Sequence, residues 1–219
     1  MKDSVLSADI TTEQTHNISL YSFVKRLFDI IFSFIALVAL SPLLIVVAIL
    51  IRLDSKGKAF FVQQRIGLNG KLFNMYKFRS MYMNADAILE ELIANDPAIA
   101  DEYAINKKLK NDPRITKVGK FIRKTSIDEL PQLINVLLGD MSLIGNRPYL
   151  PKEINDMGGY LHEIVKTKPG ITGYWQVSGR NDTSFIHRCK LEATYSHKAC
   201  FKLDLKIFFK TFKVLFKGL

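Results

Sequence analysis

The sequence of 219 residues predicts a predominantly helical α+β fold. Three observations lead to this prediction. A long apolar run lies near the N-terminus, and later segments repeat apolar residues every three or four positions, which is typical of amphipathic helices. One pair of short aromatic-rich segments, separated by glycine and asparagine, predicts a small β-hairpin. Helices therefore dominate, and one hairpin supplies the strands.

The composition points to an anionic partner. The chain carries 31 Lys plus Arg against 21 Asp plus Glu, a formal net charge of +10, which suits nucleic acid, a phospholipid surface or a phosphorylated substrate. Cys189 and Cys200 show no CxxC spacing, which argues against a disulfide framework or a zinc site and fits a reducing compartment. Nucleic acid is disfavoured because the basic clusters flank lipid-like segments and match no binding motif.

The apolar run extends from Leu27 to Ile51 and is long enough for a membrane helix. Pro42 near its middle is expected to kink or break the helix. Because basic residues flank both ends, the positive-inside rule draws both ends toward the cytoplasm. A re-entrant hairpin and a kinked transmembrane helix explain these features about equally well, and a buried core helix is a poorer third. The flanking basic residues are Lys25, Arg26, Arg52, Lys56 and Lys58.

The C-terminal segment predicts an amphipathic helix. Five lysines recur at helical spacing, while phenylalanine and leucine cover much of the remaining surface. We expect this helix to lie in the headgroup plane of a membrane, the alternative being a helix packed on the protein with a solvated lysine face. The lysines are Lys202, Lys206, Lys210, Lys213 and Lys217.

Between these ends, local patterns predict the remaining elements. Residues 1–20 are polar and without a sustained period, which is typical of a mobile segment. Ala59–Gln64 and Leu72–Phe78 are the predicted hairpin strands. Asn84–Ile93 is expected to be helical, and Asn95–Lys110 is expected to be a polar connection.

The next segment is expected to be a helix that an acidic pair opens. Leucine and isoleucine recur with helical spacing, so we expect a helix over Asp128–Leu138 with Asp128 as its cap, ended by Gly139. Two adjacent carboxylates, Asp128 and Glu129, then stand at its start. For an arbitrary helix, capping and dipole complementation would explain such a pair.

Basic residues near this pair favour phosphate chemistry instead. Guanidinium groups bind phosphate oxygens bidentately, and a divalent cation on a carboxylate can bridge to further phosphate oxygens. Residues 168–181 contain several glycines, which allow close approach of the backbone. The same block contains Trp175, which could pack on a ring, and Arg180, which could pair with a phosphate. Each arginine alone would more often be an ordinary surface or ion-pair residue. The candidate substrate-binding residues are Lys77, Arg79, Arg114, Arg123, Arg147 and Arg180.

Together these segments resemble the bacterial sugar transferase family, the monotopic polyprenyl-phosphate phosphoglycosyl transferases. The resemblance covers roughly residues 22–219 and uses several long motifs in the right order. The motifs are Lys25-Arg26 with Asp29, Tyr76-Lys77-Phe78-Arg79-Ser80-Met81, Asp112-Pro113-Arg114, Ser126-Ile127-Asp128-Glu129-Leu130-Pro131-Gln132-Leu133, Gly139-Asp140-Met141-Ser142-Leu143 and Lys168 to Arg180.

The resemblance implies a reaction and a site. A sugar 1-phosphate would pass from a nucleoside diphosphate sugar, usually a UDP-sugar, to undecaprenyl phosphate, releasing the nucleoside monophosphate. Asp128 matches the family nucleophile and Glu129 its partner, and Mg²⁺ would be held by these carboxylates. Arg123 and Arg147 match phosphate-contacting positions. The chain departs from the pattern at Asn146, where the family usually has proline, so the turn that aims Arg147 lacks a fixed φ.

The resemblance also implies a place in the cell. It favours a re-entrant helix within residues 21–56, broken at Ser41-Pro42, and a catalytic domain over residues 57–219 on the cytoplasmic face of the bacterial inner membrane. The chain resembles the small, catalytic-only form of the family. The expected partners are undecaprenyl phosphate, a nucleoside diphosphate sugar and membrane lipids, with a homodimer among the allowed states. A non-catalytic scaffold that keeps the fold is the alternative function.

Overall fold

The computed structural model of the chain describes residues 20–106, 109–178 and 184–216. Helices dominate, with two small pairs of strands, so the predicted α+β class is confirmed. The helices are α1 (Leu20–Asp54), α2 (Ala85–Asn95), α3 (Pro97–Asn106), α4 (Lys117–Lys124), α5 (Gln132–Leu138), α6 (Leu161–Ile164), α7 (Phe185–Lys198) and α8 (Phe201–Phe216). The strands are β1 (Phe60–Ile66), β2 (Leu72–Phe78), β3 (Ser142–Ile144) and β4 (Gly170–Thr172).

Helix α1 is long and apolar enough to cross a membrane. Only 11% of its most apolar stretch is buried, which argues against a core helix, and large apolar side chains such as Phe34 and Ile45 face outward. α1 is thus a membrane-associated helix. It continues through Ser41-Pro42 as one element, so the predicted break is not observed.

The chain forms two compact units. The large unit comprises Met1–Ala39, Val62–Tyr76 and Gln132–Leu219, and the small unit comprises Leu40–Phe61 and Lys77–Pro131. The boundary within α1 falls between Ala39 and Leu40, directly before Ser41-Pro42. Our division of the chain into residues 1–20, 21–56 and 57–219 stays a prediction. All of residues 1–20 except Leu20 lie outside the described residues.

The small unit is built around the C-terminal half of α1. Val47 and Ile51 of this helix pack with Phe78 and Ile122 in one buried cluster. The backbone N–H of Val118, in α4, donates to the Asp54 carboxylate at 2.9 Å. This bond satisfies one of the free donors at the start of α4 and fixes that helix to the end of α1.

A polar segment in the small unit corrects one prediction. We expected residues 95–110 to be an irregular connection, but α3 forms there. The Asp96 carboxylate accepts the backbone N–H of Ala98 at 2.9 Å, and Pro97 occupies the first helical position, where no donor is needed. Capping chemistry thus starts a helix that lacks a strong apolar period.

The large unit holds a core that local patterns did not predict. Strand β3 pairs with β4 in parallel, with Ser142 opposite Gly170 and Ile144 opposite Thr172. Behind it, Met75, Val136 and Tyr195 pack in a buried cluster. A Cβ at Gly145, Gly170 or Gly173 would collide with neighbouring backbone. The glycines of these blocks therefore serve the close approach of one chain segment to another.

The acidic pair stands before α5 and not within it. We expected a helix over Asp128–Leu138 with Asp128 as the cap, but α5 begins at Gln132. Ile127–Glu129 forms a separate 3₁₀ turn, closed by the Leu130 N–H to the Ile127 carbonyl at 3.1 Å. Pro131 has no N–H with which to extend this turn as an α-helix, so it separates the two elements.

Helix α8 confirms the amphipathic pattern over the residues described. Lys202, Lys206, Lys210 and Lys213 are exposed, and Lys217 lies outside the described residues. On the opposite face the Asp204 carboxylate is buried and accepts from Tyr21, Lys25 and Tyr195 at 2.8, 2.5 and 2.7 Å. Asp204 therefore fastens α8 to the start of α1 and to α7, leaving the lysines outward.

Candidate active site

The acidic pair lies in a short strained turn of the small unit. Ser126, directly before the turn, adopts the left-handed conformation with φ 57°, which is unfavourable for a residue other than glycine. Asp128 and Glu129 follow it, and both side chains remain partly accessible. Strained residues of this kind occur frequently beside functional groups. The turn thus presents two carboxylates between α4 and α5.

Cations of the small unit surround this pair. The Lys77 ammonium, at the end of β2, donates to Glu129 Oε1 at 2.8 Å. Arg123, in the last turn of α4, is exposed, and its positive charge acts on Asp128 and on Asp112. The structure therefore brings together four residues that the sequence analysis selected: Lys77, Arg123, Asp128 and Glu129.

The surroundings of Asp128 change the protonation of its carboxyl. Burial and the negative charge of Glu129 raise the pKa of Asp128 to about 6, and the charges of Lys77 and Arg123 act in the opposite direction. At neutral pH Asp128 is thus largely ionised while being poorly solvated. A carboxylate in this state is a better nucleophile than a fully hydrated one.

Arg79 and Arg114 have partners inside the protein. The Arg79 guanidinium, 5% exposed, donates to the carbonyls of Lys58 at 2.7 Å, Lys56 at 3.0 Å and Ser55 at 2.8 Å. It thereby satisfies backbone acceptors at and after the C-terminal end of α1. For both Arg79 and Arg114, contact with substrate stays a prediction.

Arg114 forms a bidentate pair with Asp112. Its Nε and Nη2 donate to the two carboxylate oxygens at 2.8 and 2.7 Å, and both residues are buried. This pair lowers the pKa of Asp112 in spite of the opposing effect of burial. Arg114 thus fixes the loop that enters α4, and the Thr116 hydroxyl in that loop caps the helix by accepting the backbone N–H of Gly119 at 2.9 Å.

The acidic pair fits a magnesium ion with few protein ligands. Two adjacent carboxylates raise each other's pKa unless a cation neutralises them, and Glu129 already attracts the Lys77 ammonium. Within the described residues, no cluster of three or more His, Cys, Asp or Glu could form an all-protein cage. Mg²⁺ commonly binds through one or two carboxylates together with water and phosphate oxygens. Asp128 and Glu129 have the donor type and charge for that mode.

Arg147 belongs to the large unit and has a different environment. Its guanidinium carbon lies 5.9 Å from the centroid of the Trp175 ring, and that of Arg188, on α7, lies 4.1 Å from the same centroid. The backbone N–H of Arg147 donates to Glu192 Oε2 at 2.7 Å. Glu192 is 1% exposed, and burial raises its pKa to about 8. We name these four residues the arginine–tryptophan cluster.

Asn146 performs a task that the family proline could not. Its buried side-chain amide lies at 2.6 to 3.1 Å from the Ser196 and Thr167 hydroxyls and the Ile164 carbonyl. These hydrogen bonds hold the turn that precedes Arg147. They replace the fixed φ that a proline at position 146 would give this turn. The position of Arg147 is thus set by side-chain hydrogen bonds on one side and by Glu192 on the other.

The sequence analysis did not select Arg188 or Glu192, although one signal was present. Cys189, Glu192, Ala193 and Ser196 recur at helical spacing, which places Glu192 on the buried face of α7. A carboxylate at such a position requires a polar partner. Arg180, which the sequence analysis did select, lies outside the described residues.

Comparison with known proteins gives consistent matches. A family model described as bacterial sugar transferase matches residues 20–218. The undecaprenyl-phosphate galactose phosphotransferase of Salmonella typhimurium is 49% identical over 195 residues, which is 89% of this chain and 41% of that protein. The exopolysaccharide production protein ExoY of Sinorhizobium fredii is 41% identical over 187 residues, 85% of this chain and 83% of that protein.

The name of a third relative specifies a different sugar. The UDP-glucose:undecaprenyl-phosphate glucose-1-phosphate transferase of Klebsiella pneumoniae is 39% identical over 202 residues, covering 89% of this chain and 40% of that protein. The chain thus spans about two fifths of the length of the Salmonella and Klebsiella proteins. The names of these two relatives specify galactose and glucose, respectively.

Proposed function

This chain belongs to the bacterial sugar transferase family, and we propose on that basis that it transfers a sugar 1-phosphate from a UDP-hexose to undecaprenyl phosphate. The names of the relatives support the lipid acceptor and a hexose donor. The product would begin the assembly of an exopolysaccharide, a capsule or another surface glycan. Galactose and glucose are the first sugars to test.

One observation carries the proposal: a poorly solvated acidic pair on a strained turn with cations around it. Asp128 is largely ionised at neutral pH, and Lys77 and Arg123 supply positive charge to the same turn. A helix cap alone would need neither two carboxylates nor these cations. Phosphoryl transfer needs both, because an anionic nucleophile must approach an anionic phosphate.

The proposed reaction proceeds in two displacements. An Asp128 carboxylate oxygen attacks the phosphorus attached to the sugar, and the bond from that phosphorus to the bridging oxygen breaks, releasing UMP. The sugar phosphate then remains on Asp128 as an acyl phosphate. A phosphate oxygen of undecaprenyl phosphate attacks the same phosphorus, the bond to Asp128 breaks, and the carboxylate is restored. Undecaprenyl phosphate is largely dianionic at neutral pH, so this step requires no general base.

The residues around the turn would share the remaining work. Arg123 is exposed and available to hold phosphate oxygens in line with Asp128. Glu129, when it exchanges the Lys77 ammonium for a metal ion, would join Asp128 in holding Mg²⁺. Bound there, Mg²⁺ would supply positive charge that stabilises the negative charge developing on the transferred phosphate.

We further propose that the protein is monotopic on the cytoplasmic face of the inner membrane. Basic residues flank the apolar run Leu27–Ile51 of α1 at both ends, and the exposed lysines of α8 suit anionic headgroups. α1 would then enter one leaflet and return, bending near Pro42.

Cysteine labelling tests this topology. In a chain whose Cys189 and Cys200 are replaced by serine, Leu20→Cys and Lys56→Cys should both react only with a reagent that reaches the cytoplasm. A periplasmic cysteine in a second inner-membrane protein serves as the positive control for the impermeant reagent. Labelling of either position in intact cells by that reagent would establish a spanning helix instead.

A substrate panel tests the reaction. Purified protein in detergent is incubated with MgCl₂, undecaprenyl phosphate and UDP-galactose, UDP-glucose or other UDP-hexoses, and UMP and lipid-linked sugar are measured. We expect equal amounts of both products from one preferred donor. If no donor yields UMP while the protein remains folded, the non-catalytic scaffold is the better description. Light scattering of the same sample distinguishes a monomer from a homodimer.

A further inference from the structure

Two guanidinium groups of the large unit lie near the same indole ring. Arg188 lies 4.1 Å and Arg147 5.9 Å from the Trp175 ring centroid, and all three side chains are at least partly buried. Within the described residues, neither guanidinium forms a hydrogen bond or an ion pair, and the Arg188 Nε is fully buried without a partner. Arginine side chains in such surroundings normally have an anionic partner.

Glu192 does not fill that role. Its carboxylate is 1% exposed and accepts the backbone N–H of Arg147, and it forms no ion pair with either guanidinium. Burial raises the pKa of Glu192 to about 8, so much of it is uncharged at neutral pH. The cluster thus carries a net positive charge that the described side chains do not neutralise.

The two arginines also repel one another. Burial, together with the positive charge of Arg147, lowers the pKa of Arg188. Holding two like charges in partly desolvated positions costs free energy unless a ligand compensates. A phosphate group is the anion best matched to two guanidinium groups, because each guanidinium can donate two parallel hydrogen bonds to its oxygens.

We propose that Arg147 and Arg188, supported by Trp175, form a phosphate-binding site in which Glu192 holds the backbone of Arg147. Arg188 is the residue that this site adds to those selected from the sequence. The source of the phosphate rests on the proposed function, which supplies two: the diphosphate of a nucleotide sugar and the phosphate of a polyprenyl lipid. Binding itself does not depend on catalysis.

The chain carries its own reporter for this site. Trp175 is its single tryptophan, so intrinsic fluorescence excited at tryptophan wavelengths reports on the ring beside both guanidinium groups. Titration of the full chain in detergent would use pyrophosphate and UDP for the donor, and a short isoprenyl phosphate for the acceptor. Uridine and the corresponding isoprenyl alcohol are the phosphate-free controls, at constant ionic strength.

We expect a saturable change in fluorescence with the phosphate compounds and none with uridine or the alcohol. Arg188→Gln should weaken binding at least tenfold. Lys190→Gln, which removes one exposed charge from the same helix, should bind within twofold of the unchanged protein. Saturation by UDP and pyrophosphate alone assigns the site to the donor, and saturation by the isoprenyl phosphate alone assigns it to the acceptor.

Two results would overturn the site. One is the absence of any saturable response in the unchanged protein, and the other is equal affinity in folded Arg188→Gln. If that variant does not fold, Arg188→Lys keeps the charge but loses the bidentate geometry, and its binding should weaken severalfold. Unchanged affinity in Arg188→Lys would contradict a two-guanidinium site. Phosphate binding without UMP release from any donor would retain the site and reject the proposed reaction.

Discussion

The acidic pair of the small unit and the arginine–tryptophan cluster of the large unit combine the same chemical groups in opposite ways. At the acidic pair, Asp128 and Glu129 are partly accessible, and Lys77 and Arg123 stand around them. In the arginine–tryptophan cluster, the carboxylate of Glu192 is buried, and the guanidinium groups of Arg147 and Arg188 lie at the Trp175 ring.

This difference separates a reactive carboxylate from a structural one. Burial raises the pKa of Asp128 to about 6 and that of Glu192 to about 8, and nearby cations oppose the rise at both carboxyls. Glu192 is the more deeply buried of the two. Asp128 therefore retains its charge at neutral pH and has access to solvent. Glu192 is largely uncharged at neutral pH and is buried. Its carboxyl accepts the backbone N–H of Arg147.

The difference between the two carboxylates is tested most directly at Asp128. We expect Asp128→Asn to lower transfer by roughly a thousandfold or more, because an amide cannot form the acyl phosphate. With Mg²⁺ and labelled UDP-sugar but no lipid acceptor, the unchanged protein should retain label and release a stoichiometric burst of UMP. The variant should do neither, and Asp101→Asn, an exposed aspartate of the same unit, should behave normally. Near-normal turnover in Asp128→Asn would show that the acidic pair has only a structural role before α5.

Lys77 should give the next largest effect. Lys77→Met removes the ammonium bound to Glu129 at 2.8 Å and leaves two neighbouring carboxylates with less positive charge. We expect transfer to fall by roughly tenfold to a hundredfold, the order of a lost charge-assisted contact. Steady-state UMP release would be measured beside Lys124→Met, an exposed lysine of α4. Equal rates in the two variants would show that the Lys77–Glu129 pair has no part in the reaction.

Asn146 tests how the large unit positions Arg147. We expect Asn146→Pro to destabilise the protein by about 2 to 4 kcal/mol, since it removes a buried amide and leaves acceptors on Ile164, Thr167 and Ser196 without that donor. Thermal unfolding in detergent would measure the loss, with Asn146→Ala expected to lose a comparable amount. A more stable Asn146→Pro would mean that the turn, and not the amide, determines the stability.

Per unit of pH, the smallest expected effect is the change in stability due to Glu192, at most about 1.4 kcal/mol. Because its pKa rises from an ordinary value of 4.5 to about 8 on folding, the folded protein retains a proton that the unfolded chain loses. The free energy of unfolding should therefore fall as the pH rises from about 4.5 to 8. Glu192→Gln should flatten that slope between pH 5.5 and 8.5, and Glu90→Gln, exposed on α2, should leave it unchanged. An identical slope in Glu192→Gln would show that Glu192 is ionised in the folded state.

Local patterns were sufficient for several parts of this protein. The membrane-associated helix, the hairpin strands and the amphipathic α8 each follow from residues close together in the chain. The residue types also indicated Lys77, Arg123, Asp128 and Glu129 as candidates, and the structure places these four together in the small unit. Periodicity and charge are properties of the sequence itself.

Only the tertiary structure decided the remainder, because it depends on contacts between distant residues. The parallel pairing of β3 with β4 joins segments about 28 positions apart, and no local period indicates it. The same applies to Arg79, whose partners are backbone carbonyls 21 to 24 positions earlier in the chain. Glu192 is a further case: its helical spacing with Cys189 and Ala193 indicates the buried face of α7, but only packing places its carboxylate against the backbone N–H of Arg147. Sequence thus determined which groups are present and which helices form, while long-range packing determined which of those groups lose solvent, and loss of solvent sets their charge and reactivity.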